Sequence, residues 1–126
     1  MTDLRSPLSK VRGLGAAGSG TGHFWSQRWT ALLLIPLVLW LGFCLASMPI
    51  DHASLIEWIR QPLVTIALVL TIIVLFYHAQ LGLQVVIEDY VHGHGLKIAS
   101  LVISRFAHVF LAVVGVFAVL KLGIGA

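Results

Sequence analysis

Long apolar stretches separated by short polar connections run through most of the chain, and three of the stretches are long enough to cross a bilayer as helices. Crossing about 30 Å of hydrocarbon takes about 20 mostly apolar residues. Trp29 to Met48 carries no charge. Pro62 to about Ile87 carries none until Glu88, and roughly Leu101 to Leu120 holds Arg105 near its start and His108 one turn later. The pattern predicts an all-α membrane protein with three transmembrane helices, at about 29–48, 62–87 and 101–120. A polar segment, 1–28, precedes the membrane unit 29–126. Pro62 suits a first helical position, where its missing N–H would have no partner in any case. Pro36 falls inside the first span, where a kink is tolerated if neighbouring helices or water satisfy the freed carbonyl.

Composition places the chain in the same class. Of its 126 residues 59% are hydrophobic and 10% charged, with a mean hydropathy of +0.99, whereas soluble domains are about a quarter charged. The length allows one small domain and no separate catalytic lobe. A single cysteine, Cys44, excludes a disulfide framework, a CxxC redox pair and a protein-only zinc or iron–sulfur site. The formal charge of +3 is too weak and scattered for nucleic acid, which leaves membrane lipid as the surrounding phase.

Lys and Arg in the short connections set the orientation. Residues 1–28 hold Arg5, Lys10, Arg12 and Arg28, whereas the loop 49–61 holds only Arg60 beside Asp51 and Glu57. Lys97 and Arg105 follow in the next loop and the start of the third span. Three spans with a cytoplasmic N-terminus satisfy this distribution. Trp25, Trp29 and Trp58 fall where interfacial anchors belong, and Trp40 does not.

Several other readings fail on local detail. The Gly-rich run from Gly13 to Gly22 separates the basic residues from the first apolar stretch, and no A-x-A site follows, which argues against a cleaved signal peptide. Cys44 follows the bulky Phe43, the wrong neighbour for a lipid-modified cysteine. Gly13-Leu14-Gly15-Ala16-Ala17-Gly18 spells G-x-G-x-x-G but precedes more glycine rather than a helix, and reads as a flexible linker.

Ionisable residues at membrane depth carry the remaining information, because each costs a few kcal/mol without a partner. His78 lies ten residues before Glu88, roughly 15 Å below the membrane boundary. A neutral imidazole there suits a bundle hydrogen bond, a proton relay or a metal ligand. Gly82, four residues on, shares its helix face, and Asp89 returns to nearly that face at the water boundary, with Tyr90 beside it. Gly82 serves either close helix packing or a gap for a large planar cofactor. If His78 ligates a six-coordinate haem, a second axial ligand is needed, from His108 or from another polypeptide.

The other histidines carry less. His92 and His94 form an H-x-H in a Gly-containing loop, without a thiol or carboxylate at metal spacing. His52 lies in the outer loop. His23 and Arg28 stand at the mouth of the first span, where a cation either anchors the helix or holds an anionic cofactor group. No nucleophile–base pair, catalytic carboxylate pair or phosphate loop occurs in a suitable setting, so the chain alone is not a hydrolase or transferase.

These residues carry a resemblance. His78-Ala79-Gln80-Leu81-Gly82, followed by a hydrophobic stretch and Asp89-Tyr90-Val91, resembles the second-helix signature of the small hydrophobic membrane anchor of succinate dehydrogenase, respiratory complex II. His92-Gly93 is similar to the alphaproteobacterial and mitochondrial-type members, and His23 to Ala31 resembles the family's entry to its first helix. The resemblance implies half of a haem-binding helical bundle in the cell inner membrane. A second anchor polypeptide completes that bundle, and a flavoprotein and an iron–sulfur protein join it. The resemblance further implies electron flow from succinate to ubiquinone, linking the tricarboxylic acid cycle to the respiratory chain. His78 would be an axial ligand of haem b, with Gly82 beside it and His23 and Arg28 near the propionates. Tyr90 would hydrogen-bond a ubiquinone carbonyl, with Asp89 supporting that site. A fumarate reductase anchor would use the same architecture in reverse, and a non-redox structural or transport component would use His78 only to pack the bundle.

Overall fold

The structure, a computed structural model, describes residues 6–11 and 20–125. Its elements are all helical: α1 (Pro7–Val11), α2 (Gly20–Ser47), α3 (His52–Ile59), α4 (Pro62–Tyr90) and α5 (His94–Ile124). Helices α2, α4 and α5 are the three long apolar ones, and a helix is what hydrocarbon demands, since it satisfies every interior backbone group within the segment. Each exceeds the apolar stretch that predicted it. The 28 residues of α2 begin at Gly20 rather than Trp29, and the 31 residues of α5 begin at His94 rather than Leu101. Gly20 to Gly22, the end of the expected linker, are therefore helical; its part 13–19, with Arg5 and Arg12, lies outside the described residues. Helix α2 runs through Pro36, which leaves the Leu32 carbonyl without its intrahelical donor.

Helix α3 replaces the loop expected at 49–61. Asp51 caps it: the Ser54 amide donates to Oδ1 at 2.9 Å and the Ser54 hydroxyl to Oδ2 at 2.7 Å. The amide bond first, and the hydroxyl after it, hold the Asp51 carboxyl below its ordinary value. Trp58 of α3 stacks on Trp40 of α2, ring centroids 5.7 Å apart, so Trp40 has an aromatic partner near the α3 end of its helix. Arg60, just past α3, lies beside Gly125, the left-handed cap of α5, and sets a cation against the negative end of that helix.

Helix α4 is the centre of the arrangement. It packs against α2, α3 and α5, while α2 and α5 do not approach each other. The three long helices form a row, with α4 in the middle. Little is buried: among the described residues the apolar core is Leu34, Val64, Val74, Leu81 and Ile87. Two glycines let α5 close on α4. A Cβ on Gly115 would come within 3.1 Å of Ile72, and one on Gly123 within 2.7 Å of Thr65. Thr65 cannot yield easily, because its hydroxyl is tied to the carbonyls of Ile59 and Gln61. Without a hydrophobic drive between helices in lipid, such small residues decide where backbones meet.

Gly123→Ala should therefore lower the stability of the purified protein in detergent by about 1–3 kcal/mol, the usual cost of overpacking. Gly42→Ala, where a Cβ meets nothing within 4 Å, should not. Thermal unfolding of the two variants side by side checks the difference.

Candidate functional site

The seam between α2 and α4 holds the polar chemistry. His23, Gln27, Thr30 and Leu34 recur at helical spacing and put one face of α2 toward α4. His78 lies sixteen residues past the start of α4 and twelve before its end, about 24 Å and 18 Å along the axis. At that depth the Thr30 hydroxyl meets His78 Nδ1 at 2.8 Å. The same hydroxyl faces two carbonyls of its own helix, Ser26 at 2.8 Å and Gln27 at 3.0 Å.

The network suits the Nδ1-protonated tautomer of His78. A hydroxyl has one proton, and the two carbonyls can only accept it. With the proton directed at either carbonyl, Thr30 Oγ1 accepts Nδ1–H of His78, and Nε2 keeps its lone pair. Metal-binding histidines are commonly held in this way, with the second nitrogen donating to an oxygen. His78 lines two adjoining clefts. One, of about 250 Å³, is shared with Phe24, Gln27, Arg28 and Ala31. The other, of about 410 Å³, runs on between Ala31 and Leu39.

Gly82 faces the same seam, and a Cβ there would meet only Gln27 Nε2, at 4.0 Å. The position is thus open space rather than a close backbone contact. His23 Nε2 is buried with no hydrogen-bond partner among the described residues. Arg28 lies over the Phe24 ring, 4.9 Å from its centroid, with no carboxylate partner among the described residues. No three of the His, Cys, Asp and Glu side chains among the described residues come together to hold a metal ion.

Comparison with known proteins settles the family. Residues 2–120 match the family described as succinate dehydrogenase/fumarate reductase transmembrane subunit. The chain belongs to that family. It is 34% identical to the succinate dehydrogenase hydrophobic membrane anchor subunit of Rickettsia bellii, over 96% of this chain and 98% of the relative. It is 35% identical to the membrane anchor subunit of Reclinomonas americana over 69% of this chain and 76% of the relative. Against the Paracoccus denitrificans anchor subunit the identity is 26%, over 96% and 94%. No solved structure matches. This transmembrane subunit is accordingly a multi-pass membrane protein related to components of an oxidoreductase complex and is not catalytic alone.

The remaining expected site residues of this family member lie elsewhere. Asp89 and Tyr90 end α4, both exposed, Tyr90 at 77%, and neither lines the clefts of His78. His94 opens α5, and His52 opens α3, rather than lying in loops. His108 is on the far side of α4 from α2: its Nδ1 donates to the Ser104 carbonyl at 2.7 Å and its ring meets Phe76 edge-on. The structure does not bring His108 to His78. Thr30 and Gln27 are not legible as site residues, because neither is ionisable; the helical spacing from His23 is the available signal.

Removing the Thr30 hydroxyl should free the ring. Thr30→Val should cost about 1 kcal/mol of stability and convert His78 from one Nδ1-protonated tautomer to a mixture, read from its ring ¹⁵N shifts. Thr30→Ser should retain the single tautomer.

Proposed function

We propose that this chain is the membrane-anchor subunit of a succinate:ubiquinone oxidoreductase, holding one side of a haem b through His78 and supplying Tyr90 to the ubiquinone site. The observation that carries the reading is His78 at mid-span, its Nδ1 paired with Thr30 and its Nε2 without a hydrogen bond among the described residues. The neighbouring residues suit a porphyrin with acidic edge groups. Gly82 leaves space beside the imidazole, and among the described residues the buried Nε2 of His23 lacks a partner and Arg28 an anion. When bound, haem b supplies a one-electron store within the membrane. His78 would ligate its iron, Thr30 would fix the plane of the ligating ring, and Arg28 and His23 would hold the propionates by charge-assisted hydrogen bonds.

A second iron ligand would come from another polypeptide, the second membrane anchor of the complex. The open row supports this: among the described residues the clefts of His78 are lined from α2 and α4, with no third helix across them. Flavoprotein and iron–sulfur partners would dock at the end that carries Tyr90, which the excess of Lys and Arg in residues 1–28 puts in the cytoplasm of a cell whose inner membrane holds the complex.

Tyr90 suits the quinone because of where α4 ends. Its ring can remain in the apolar boundary while its hydroxyl donates to a quinone carbonyl oxygen. Reduction builds negative charge on that oxygen, so a positioned donor stabilises the transition state more than the neutral substrate. Asp89, the preceding residue, would orient the donor.

Two variants of the purified complex test the reading. His78→Leu should abolish the b-type difference spectrum while leaving the other polypeptides assembled; an unchanged spectrum removes His78 as ligand. Tyr90→Phe should slow quinone-linked succinate oxidation on the order of a hundredfold but spare the rate with an artificial acceptor that takes electrons upstream. Parental rates in both assays would remove Tyr90 from the quinone site.

A further inference from the structure

On the α5 side of α4 lies a second polar constellation that the haem and quinone readings do not use. Two clefts, of about 450 and 430 Å³, run end to end between α4 and α5, and both are lined by Gln80 and Arg105. Gln80 is only 8% exposed, yet its amide makes no hydrogen bond among the described residues. The amide opens onto the clefts, and an unpartnered amide at membrane depth is unfavourable, so a hydrogen-bonding group lying in the groove would satisfy it. Arg105 has no carboxylate within reach among the described residues, and an unpaired guanidinium inside a membrane span is strongly unfavourable. One anionic, hydrogen-bonding group between these two side chains would satisfy both.

The depth selects the kind of anion. Arg105 lies eleven residues into the 31-residue α5, about 16 Å along a helix of about 46 Å. The helix overhangs a hydrocarbon layer of about 30 Å by about 8 Å at each end, so the Arg105 backbone sits about 8 Å inside and its long side chain reaches the boundary. Phospholipid phosphates lie there. Toward the α4–α5 turn Gln84 joins Gln80 and Arg105 among apolar side chains, and toward mid-membrane the lining is mainly apolar, with Ile73, Val109 and Val113, beside Tyr77 and His108. That order, head group outward and chain inward, is that of a phospholipid.

We propose that the α4–α5 groove binds one membrane phospholipid, with its phosphodiester on Arg105 and the Gln80 amide and an acyl chain along Val109 and Val113. The guanidinium donates to the phosphate oxygens in bidentate fashion, and the Gln80 NH₂ donates to the same group. Inorganic phosphate offers the same oxygens but no chain to carry it to this depth.

The test uses the assembled complex, delipidated in neutral detergent and titrated in native mass spectrometry with dioleoylphosphatidylglycerol, with dioleoylglycerol and with inorganic phosphate. The phosphatidylglycerol should bind, dioleoylglycerol should bind at least tenfold more weakly, and millimolar phosphate should not displace the lipid. Arg105→Gln should weaken phosphatidylglycerol binding about tenfold and Gln80→Leu by a smaller factor. If Arg105→Gln does not assemble, Val109→Trp, which fills the chain-binding half from an exposed position, should give the same loss. Equal binding of the two lipids, displacement by phosphate, or variants that bind like the parent would overturn the proposal. So would a Val102→Cys variant, made in a Cys44→Ser background, that cross-links to another polypeptide of the complex, since a protein segment would then occupy the groove.

Discussion

Everything in this chain depends on α4 serving two neighbours that never touch each other. In hydrocarbon, helices gain nothing by hiding apolar side chains from one another, so association falls to close packing and to polar contacts. Helix α4 uses one of these on each side. Toward α5 the means is steric: Gly115 and Gly123 bring the backbones together over Ile72 and Thr65. Toward α2 it is a hydrogen bond, His78 to Thr30. His78 and Gln80 are two residues apart, about 200° around the helix, and hence face opposite neighbours at nearly the same depth.

The α2 seam shows how a weak contact becomes a definite one. Thr30 is held by its own helix independently of α4, since the Ser26 and Gln27 carbonyls both lie within reach of its proton. What remains is an acceptor lone pair aimed across the seam. The imidazole that meets it must present N–H, which settles both the ring orientation and the nitrogen left free. A local restraint on one helix thus decides the chemistry offered by another, and it does so with the modest energy of a single hydrogen bond.

How much of this can be read from the sequence follows from what each signal measures. Hydropathy locates all three spans but not the helix ends, because Thr21 to Arg28 and Gly95 to Ser100 are polar or mixed and still helical. It registers hydrocarbon, whereas the helix continues beyond it. Helix α3 escapes it: eight residues are too few to show a period, although Asp51 three positions before Ser54 is a legible cap. His78, Gly82, His23 and Arg28 stand out as charges or gaps near an apolar run, and the structure gathers them at one seam. Thr30 and Gln80 do not, since a neutral polar residue in a membrane helix can satisfy itself on its own backbone. Gly82 illustrates the converse. Close packing is one of its two readings, and the structure assigns that role to Gly115 and Gly123 instead.

The state of each polar group then separates structural residues from those that need something more. Thr71 bonds to the Ala67 carbonyl and His108 to that of Ser104, so neither requires a partner beyond its own helix. Neither Arg28 nor Arg105 has a carboxylate among the described residues, the Gln80 amide makes no hydrogen bond there, and His23 Nε2 is buried and unpaired. His23 and Arg28 lie on α2 and Gln80 and Arg105 line the α5 groove, while Ser104 Oγ of α5 is also buried without a partner among the described residues. Folding of this chain alone would gain nothing from any of them; in a bilayer each is a cost until a complementary group arrives. Their segregation onto the two flanks of a single helix is what a membrane anchor needs if its surroundings on one flank differ in kind from those on the other.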